Sequence, residues 1–184
     1  MKSADPFVGI QNATRDHRAH HGCGAYTFED GPALRVLAAK YLPARILELG
    51  TALGYTACCM AGGSPLANVD TVEADAEHVA LARLHIARHG LEERVAVHHG
   101  QFSEVLPRLL PGYGMAFFDG FAPPPETIAQ LRQLLATGGV LVCSNVQLAH
   151  GQAARDLAHE LNNRNCWQPQ APIEGGRTQV LVKL

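Results

Sequence analysis

From residue 45 onward, two hydrophobic rhythms alternate along the chain. Short, nearly unbroken apolar runs at residues 45–49, 69–73, 95–99, 115–118 and 140–143 read as strands. Between them, apolar residues recur at three- and four-residue spacing, the period of a helix with one buried face. Val79, Ala82 and Ile86 make such a stripe in residues 76–89, and Gly90 stands where a C-terminal cap belongs. Ile128, Leu131 and Leu135 make another in residues 125–135, and Ala154, Leu157, Ala158 and Leu161 a third in residues 152–162. Shorter helices are expected at residues 55–61, ended by Gly62-Gly63, and at residues 103–110, stopped by Pro111-Gly112. Near the C-terminal end, residues 167–173 and 179–182 flank Gly175-Gly176 and predict a closing antiparallel pair. Regular strand–helix alternation predicts an α/β domain with a largely parallel sheet. Strands this apolar predict helices on both faces of that sheet.

Composition narrows the function classes. The chain has 184 residues, the length of one domain, and is 47% hydrophobic, too apolar for disorder. Its 15 Lys and Arg against 17 Asp and Glu argue against a nucleic-acid partner. The 10 His would turn the net charge positive on mild acidification. No apolar run reaches the roughly 18 residues of a membrane span, and the first residues lack the apolar stretch of a signal peptide. The five Cys (Cys23, Cys58, Cys59, Cys143 and Cys166) are odd in number and form no C-x-x-C pair. A reducing, cytoplasmic location is therefore the expectation.

In open parallel sheets, ligands bind at the carboxyl ends of the strands. The first strand end reads Glu48-Leu49-Gly50-Thr51-Ala52-Leu53-Gly54-Tyr55-Thr56. Gly50 permits a sharp turn, Gly54 permits close approach of a ligand, and the helix behind points free N–H groups at it. The second strand ends at Glu73, placed to accept from ribose hydroxyls. Gln101 and Phe102 follow the third strand, where a ring can stack on a purine and an amide can read its edge. Asp119 ends the fourth. A nicotinamide oxidoreductase is disfavoured, because G-x-G-x-x-G is absent and an acid precedes the first glycine.

These residues, in this order, resemble the class I S-adenosylmethionine-dependent methyltransferases, in particular the small O-methyltransferases of the catechol and caffeoyl-CoA type. The likeness runs over residues 25–184, with residues 1–24 left as an N-terminal capping segment. It is carried by Ile46-Leu47-Glu48-Leu49-Gly50-Thr51-Ala52-Leu53-Gly54-Tyr55-Thr56, Thr71-Val72-Glu73-Ala74-Asp75, Phe117-Phe118-Asp119 and Leu141-Val142-Cys143-Ser144-Asn145-Val146. The resemblance implies a Rossmann-like, doubly wound, seven-stranded sheet, mostly parallel with an antiparallel last strand, and helices on both faces. It also implies bound S-adenosylmethionine. Glu48, Gly50, Tyr55 and Thr56, with Thr51 and Gly54 of the same loop, would line its methionine end. Glu73 would hold the ribose, Ala74, Gln101 and Phe102 would flank the adenine, and Asp119 would face the amino group. Residues 25–27, before a helix at residues 29–39, would close over the methionine carboxylate.

Two departures bear on the chemistry. Metal-dependent members of that family place Asp-Asn after the fifth strand, and here Ser144 stands before Asn145. A hard divalent cation wants anionic oxygens, so a Mg²⁺ site is disfavoured. The family's Lys after the fourth-strand acid is also missing: Asp119 is followed by Gly120-Phe121-Ala122-Pro123-Pro124-Pro125. His150, in the loop after the fifth strand, is then the candidate base, with Asp119 and Asn145 as the other catalytic candidates. The expected activity is in-line methyl transfer to an oxygen of a small molecule, with neither nucleic acid nor membrane as partner. Relatives of this kind often pair, so a homodimer is an expected assembly. The competing reading is a catalytically impaired S-adenosylmethionine-binding regulatory or partner protein. His17, His20, His21 and Cys23 carry the chemistry of Zn²⁺ ligands, but their spacing matches no zinc pattern, so no metal site is expected there. His78, His85, His89 and His159 are expected at the surface.

Overall fold

A computed structural model describes residues 5–184; residues 1–4 of the expected capping segment lie outside it. Among the described residues, seven strands form one sheet in the order β3-β2-β1-β4-β5-β7-β6. They are β1 (Arg45–Leu49), β2 (Asn68–Glu73), β3 (Val95–His99), β4 (Tyr113–Phe118), β5 (Leu135–Cys143), β6 (Trp167–Pro169) and β7 (Gln179–Lys183). β1 to β5 run parallel, and β7 lies antiparallel between β5 and β6. The doubly wound sheet and its antiparallel last strand are therefore as expected.

Side chains of a strand alternate between the faces of its sheet. Ile46, Val69, Met115, Phe117, Val140 and Val142 meet helices α2 (Gly31–Tyr41), α3 (Tyr55–Gly63) and α4 (Ala76–Arg88) on one face. Leu47, Leu49, Ala116, Phe118 and Leu141 meet α6 (Pro125–Leu134) and α7 (Gly151–Leu161) on the other. The same alternation puts Glu48 on the Ile46 face, inside the first core, with no exposed surface. Trp167 is buried in the second core.

The boundaries differ where local chemistry overrides periodicity. In place of one helix over residues 103–110 there is a short helix α5 (Phe102–Val105), then a tight 3₁₀ turn (Leu106–Arg108). Pro107 has no N–H for an α-helical bond, which favours that tightening. β5 begins at Leu135, expected to be helical, because the register shifts between Tyr113 and Met115 of its neighbour. The largest departure is α1 (Val8–His21), a helix within the expected capping segment. It buries Ile10, Gln11 and Thr14, with Phe7 just ahead of it. The Gln11 side-chain amide donates to Phe28 O at 3.0 Å, which ties α1 to the segment leading into α2. Among the described residues, no helix is long and apolar enough to cross a membrane.

Candidate functional site

The carboxyl ends of β1, β2 and β4 open on a cleft of about 720 Å³. Its floor is the turn after β1. Gly50 has φ +97°, and a Cβ there would lie 2.7 Å from Asp119 O. Only glycine lets this loop lie against the one after β4, where Gly50 N–H donates to Val72 O and Asp119 N–H donates to Leu49 O. Ala52 follows at φ +44°, a left-handed conformation that costs a non-glycine residue roughly 1–3 kcal/mol. Its N–H donates to Glu73 Oε2 at 2.9 Å, which helps hold the turn in place. Gly54 has φ +93° at the start of α3, but a Cβ there would touch Ile86 at 3.5 Å, in the core. It serves the backbone path and does not line the cleft, contrary to the close ligand approach expected of it.

Carboxylates dominate this pocket. Glu73 accepts from Ala52 N–H and, at 3.0 Å, from Asp75 N–H. Asp75 also lines the cleft, and its side chain caps α4. Asp119 stands at the end of β4, where desolvation by burial raises its pKa well above the usual carboxylate range, reinforced by the charges of Glu48 and Glu174. Ser144 Oγ lies 2.8 Å from Asp119 Oδ1 and 2.9 Å from Phe118 O. One hydroxyl proton cannot fully serve both acceptors. A protonated Asp119 resolves this by donating to Ser144 while Ser144 donates to Phe118 O. Beneath the floor, Glu48 accepts from Thr71 Oγ1 at 2.6 Å, while its Oε1 has no partner. Burial pushes its pKa up to about 7. Glu174, which the sequence reading missed, reaches the cleft from the turn between β6 and β7. Its only sequence signal was its place before Gly175-Gly176. Among the described residues, no Lys or Arg lines the cleft.

The other expected residues divide. Ala74, Phe102 and Asn145 line the cleft, and Phe102 packs edge-on against Phe118. Thr51, Tyr55 and Thr56 line an adjoining recess with Thr14 and residues 26–28. The Tyr55 hydroxyl is already committed to Asp5. Gln101 does not line the cleft: its side chain and that of Glu104 form the capping box of α5. His150 is exposed at the start of α7 and does not line the cleft, so the geometry does not support it as the base. His78, expected at the surface, is 6% exposed and lines the cleft beside Glu73. Tyr26 and Phe121, 65% and 78% exposed, form aromatic parts of the rim.

The donor set does not fit a hard divalent cation at Asp119. Burial favours the neutral form of that carboxyl. Ser144 replaces an acid, and the Asn145 amide donates to Gly120 O at 2.8 Å, bracing the loops after β4 and β5.

Comparison with known proteins accords with this architecture. Residues 47–146 match a family described as a methyltransferase domain. A catechol O-methyltransferase of Niastella koreensis is 32% identical over 135 residues, covering 71% of this chain and 61% of that protein. One of Mycobacterium tuberculosis is 32% identical over 127 residues, covering 66% and 57%. The chain thus spans about six-tenths of the length of these curated relatives. Among solved structures, the O-methyltransferase TomG of Streptomyces achromogenes in complex with SAM aligns with TM-score 0.80 at 25% identity, covering 95% of this chain and 89% of that one. An O-methyltransferase of Bacillus cereus in complex with SAH aligns with TM-score 0.79 at 22% identity, covering 95% and 91%, a likeness of fold.

Proposed function

This chain belongs to the methyltransferase-domain family, and we propose that it transfers the methyl group of S-adenosylmethionine to an oxygen of a small-molecule acceptor. The observation that carries the reading is the acidic lining of the cleft: Glu73, Asp75, Asp119 and Glu174 line it, with no Lys or Arg among the described residues. S-adenosylmethionine bears a sulfonium and an ammonium against one carboxylate, so it enters as a net cation. A dinucleotide would bring two phosphates into the same acidic surroundings, which is unfavourable. A nucleic-acid substrate meets the same objection.

When bound, the cofactor supplies an electrophilic methyl carbon and leaves as a neutral thioether. The residues bind and orient. Both Glu73 oxygens already accept one backbone N–H, and each keeps a lone pair for a ribose hydroxyl. Phe102 offers a ring face to the adenine. Asp119, whose carboxyl desolvation pushes toward the neutral form, gains an opposite charge when the ammonium faces it. The 25–28 segment, anchored by Gln11, closes over the methionine end. With neither Lys nor His150 at the cleft, alignment of acceptor, methyl and sulfur in a dry site supplies most of the acceleration. The exposed Phe121 and nearby Leu148 suit an aromatic or apolar acceptor.

Calorimetry with S-adenosylmethionine, paired with release of S-adenosylhomocysteine against a panel of phenols and catechols, tests this. The expected result is saturable binding and turnover on at least one aromatic hydroxyl. Absence of binding, or preference for a nicotinamide dinucleotide, overturns the reading. Binding without turnover across the panel replaces it with a cofactor-binding module.

A further inference from the structure

The geometry points to a transition-metal site, best suited to Zn²⁺, formed by His17, Cys23 and His78 at the junction of α1 and α4. The ligand atoms of these three residues all lie within 4.8 Å of one another. His17 is on the last turns of α1. Gly22, at φ +63°, then caps the helix, with its N–H donating to Arg18 O at 2.9 Å. That left-handed turn brings Cys23 back beside His17. The third ligand is remote in sequence: His78 sits in the first turn of α4, held there by the Asp75 cap. Spacing within residues 17–23 therefore could not reveal the set.

The chemistry of the donors is coherent. A thiolate and two imidazoles are the borderline-soft ligands that Zn²⁺ takes in tetrahedral sites. With bonds of about 2.0–2.3 Å, tetrahedral ligand atoms stand roughly 3.3–3.8 Å apart, so small rotamer shifts close the observed cluster on an ion. His78 Nδ1 lies 3.8 Å from Glu73 Oε1, an ion-pair distance longer than a hydrogen bond. His17 meets His78 edge-on at 5.3 Å between ring centroids and stacks on His21 at 4.4 Å. His21 and Glu77 form a second, separate set with His17; the fourth position at the His17–Cys23–His78 set can be taken by water. Binding displaces the Cys23 thiol proton to solvent, so affinity rises with pH.

The site would pin α1, and with it the 25–28 segment, to the helix that starts beside Glu73. Zn²⁺ occupancy would then strengthen S-adenosylmethionine binding, a coupling that rests on the function proposed above, whereas the metal site itself does not.

Tag-free protein stripped with chelator and titrated with Zn²⁺ against a chromophoric competitor tests the site. We expect one ion per chain. Co²⁺ in its place should give a thiolate charge-transfer band and the visible bands of a four-coordinate ion. Cys23→Ser should abolish the charge-transfer band, and both it and His17→Ala should weaken Zn²⁺ at least tenfold. His159→Ala should change nothing, and circular dichroism of the metal-free variants should match the parent. Weak or substoichiometric Zn²⁺ overturns the site, as does a Co²⁺ spectrum indifferent to Cys23→Ser. Loss on His21→Ala but not on Cys23→Ser overturns this ligand set. Equal S-adenosylmethionine affinity with and without Zn²⁺ overturns the coupling. If S-adenosylmethionine does not bind at all, the proposed function fails while the metal measurements still decide the site.

Discussion

Replacing Glu48 by Gln should flatten the stability profile of the protein at neutral and alkaline pH. Glu48 is wholly buried, with one oxygen bonded to Thr71 and the other unpartnered. Desolvation raises its pKa from 4.5 to about 7 in the folded chain. A carboxyl that holds its proton more tightly when folded stabilises the fold fully below its unfolded pKa. That contribution is lost as pH rises through the folded pKa. At about 1.4 kcal/mol per pH unit, the loss between pH 4.5 and pH values above 7 comes to about 3 kcal/mol. For a chain of this length, that is a fall in Tm of roughly 6–12 °C. Gln keeps the shape and the acceptor for Thr71 but cannot ionise. Its amide N–H₂ needs acceptors that the Oε1 site does not show, so the variant will not be more stable at every pH. The slope is the informative quantity. Urea unfolding at pH 5, 7 and 9 should show the variant gaining about 3 kcal/mol on the parent across that range. Asp119, also raised, contributes to the profile of both proteins, and part of its shift comes from the charge of Glu48, so the difference reads the coupled pair. A difference constant from pH 5 to pH 9 would refute the reasoning, because Glu48 would then be ionised, or neutral, throughout.

Three further substitutions probe the cleft. Glu73→Ala removes the acceptor of Ala52 N–H and the proposed ribose contact; calorimetry should show S-adenosylmethionine affinity reduced about 10- to 100-fold, the scale of a charge-assisted hydrogen bond. Gly50→Ala puts a Cβ 2.7 Å from Asp119 O at φ +97°; thermal unfolding should show destabilisation of roughly 1–3 kcal/mol, and cofactor affinity should fall because the loops after β1 and β4 separate. His150→Ala should leave the pH–rate profile unchanged, since the side chain lies away from the cleft; a lost alkaline or neutral limb would restore His150 as the base.

Much of this architecture was legible in the sequence because strand and helix periods differ and each of β1 to β5 carries a short apolar run. Glu73 and Asp119 stand out because acids that end such runs lie at the open edge of a parallel sheet, whereas Glu48, expected to line the methionine end, lies inside the core beneath the cleft. Pattern failed where side chains serve the backbone. Gln101 follows β3 as a ligand-reading amide would, yet its nearest unsatisfied donors are those of α5. Gly54 has the spacing of a ligand-cradling glycine, but its missing Cβ faces Ile86. α1 was missed because its polar sequence, VGIQNATRDHRAHH, buries only Ile10, Gln11 and Thr14, too few for a visible stripe. Glu174 and His78 reach the cleft through tertiary return of the chain, a turn between β6 and β7 and the start of α4. No local spacing encodes either approach.

The acids of the cleft explain how a charged pocket can exist without a ligand. Four carboxylates lining one cleft, all ionised and with no Lys or Arg among the described residues beside them, would repel one another in a partly desolvated space. The chain relieves this by depth. Glu73 is met by two backbone N–H groups, one on each oxygen. Asp119 and Glu48, which lack such donors in number, are pushed toward their neutral forms. A cation entering the cleft reverses that balance, since each carboxyl it draws into ionisation releases a proton and gains an opposite charge. Methyl transfer removes the sulfonium charge but leaves the ammonium that faces Asp119 on the demethylated product. The cleft acids therefore discriminate between the cofactor and that product only through the sulfonium charge.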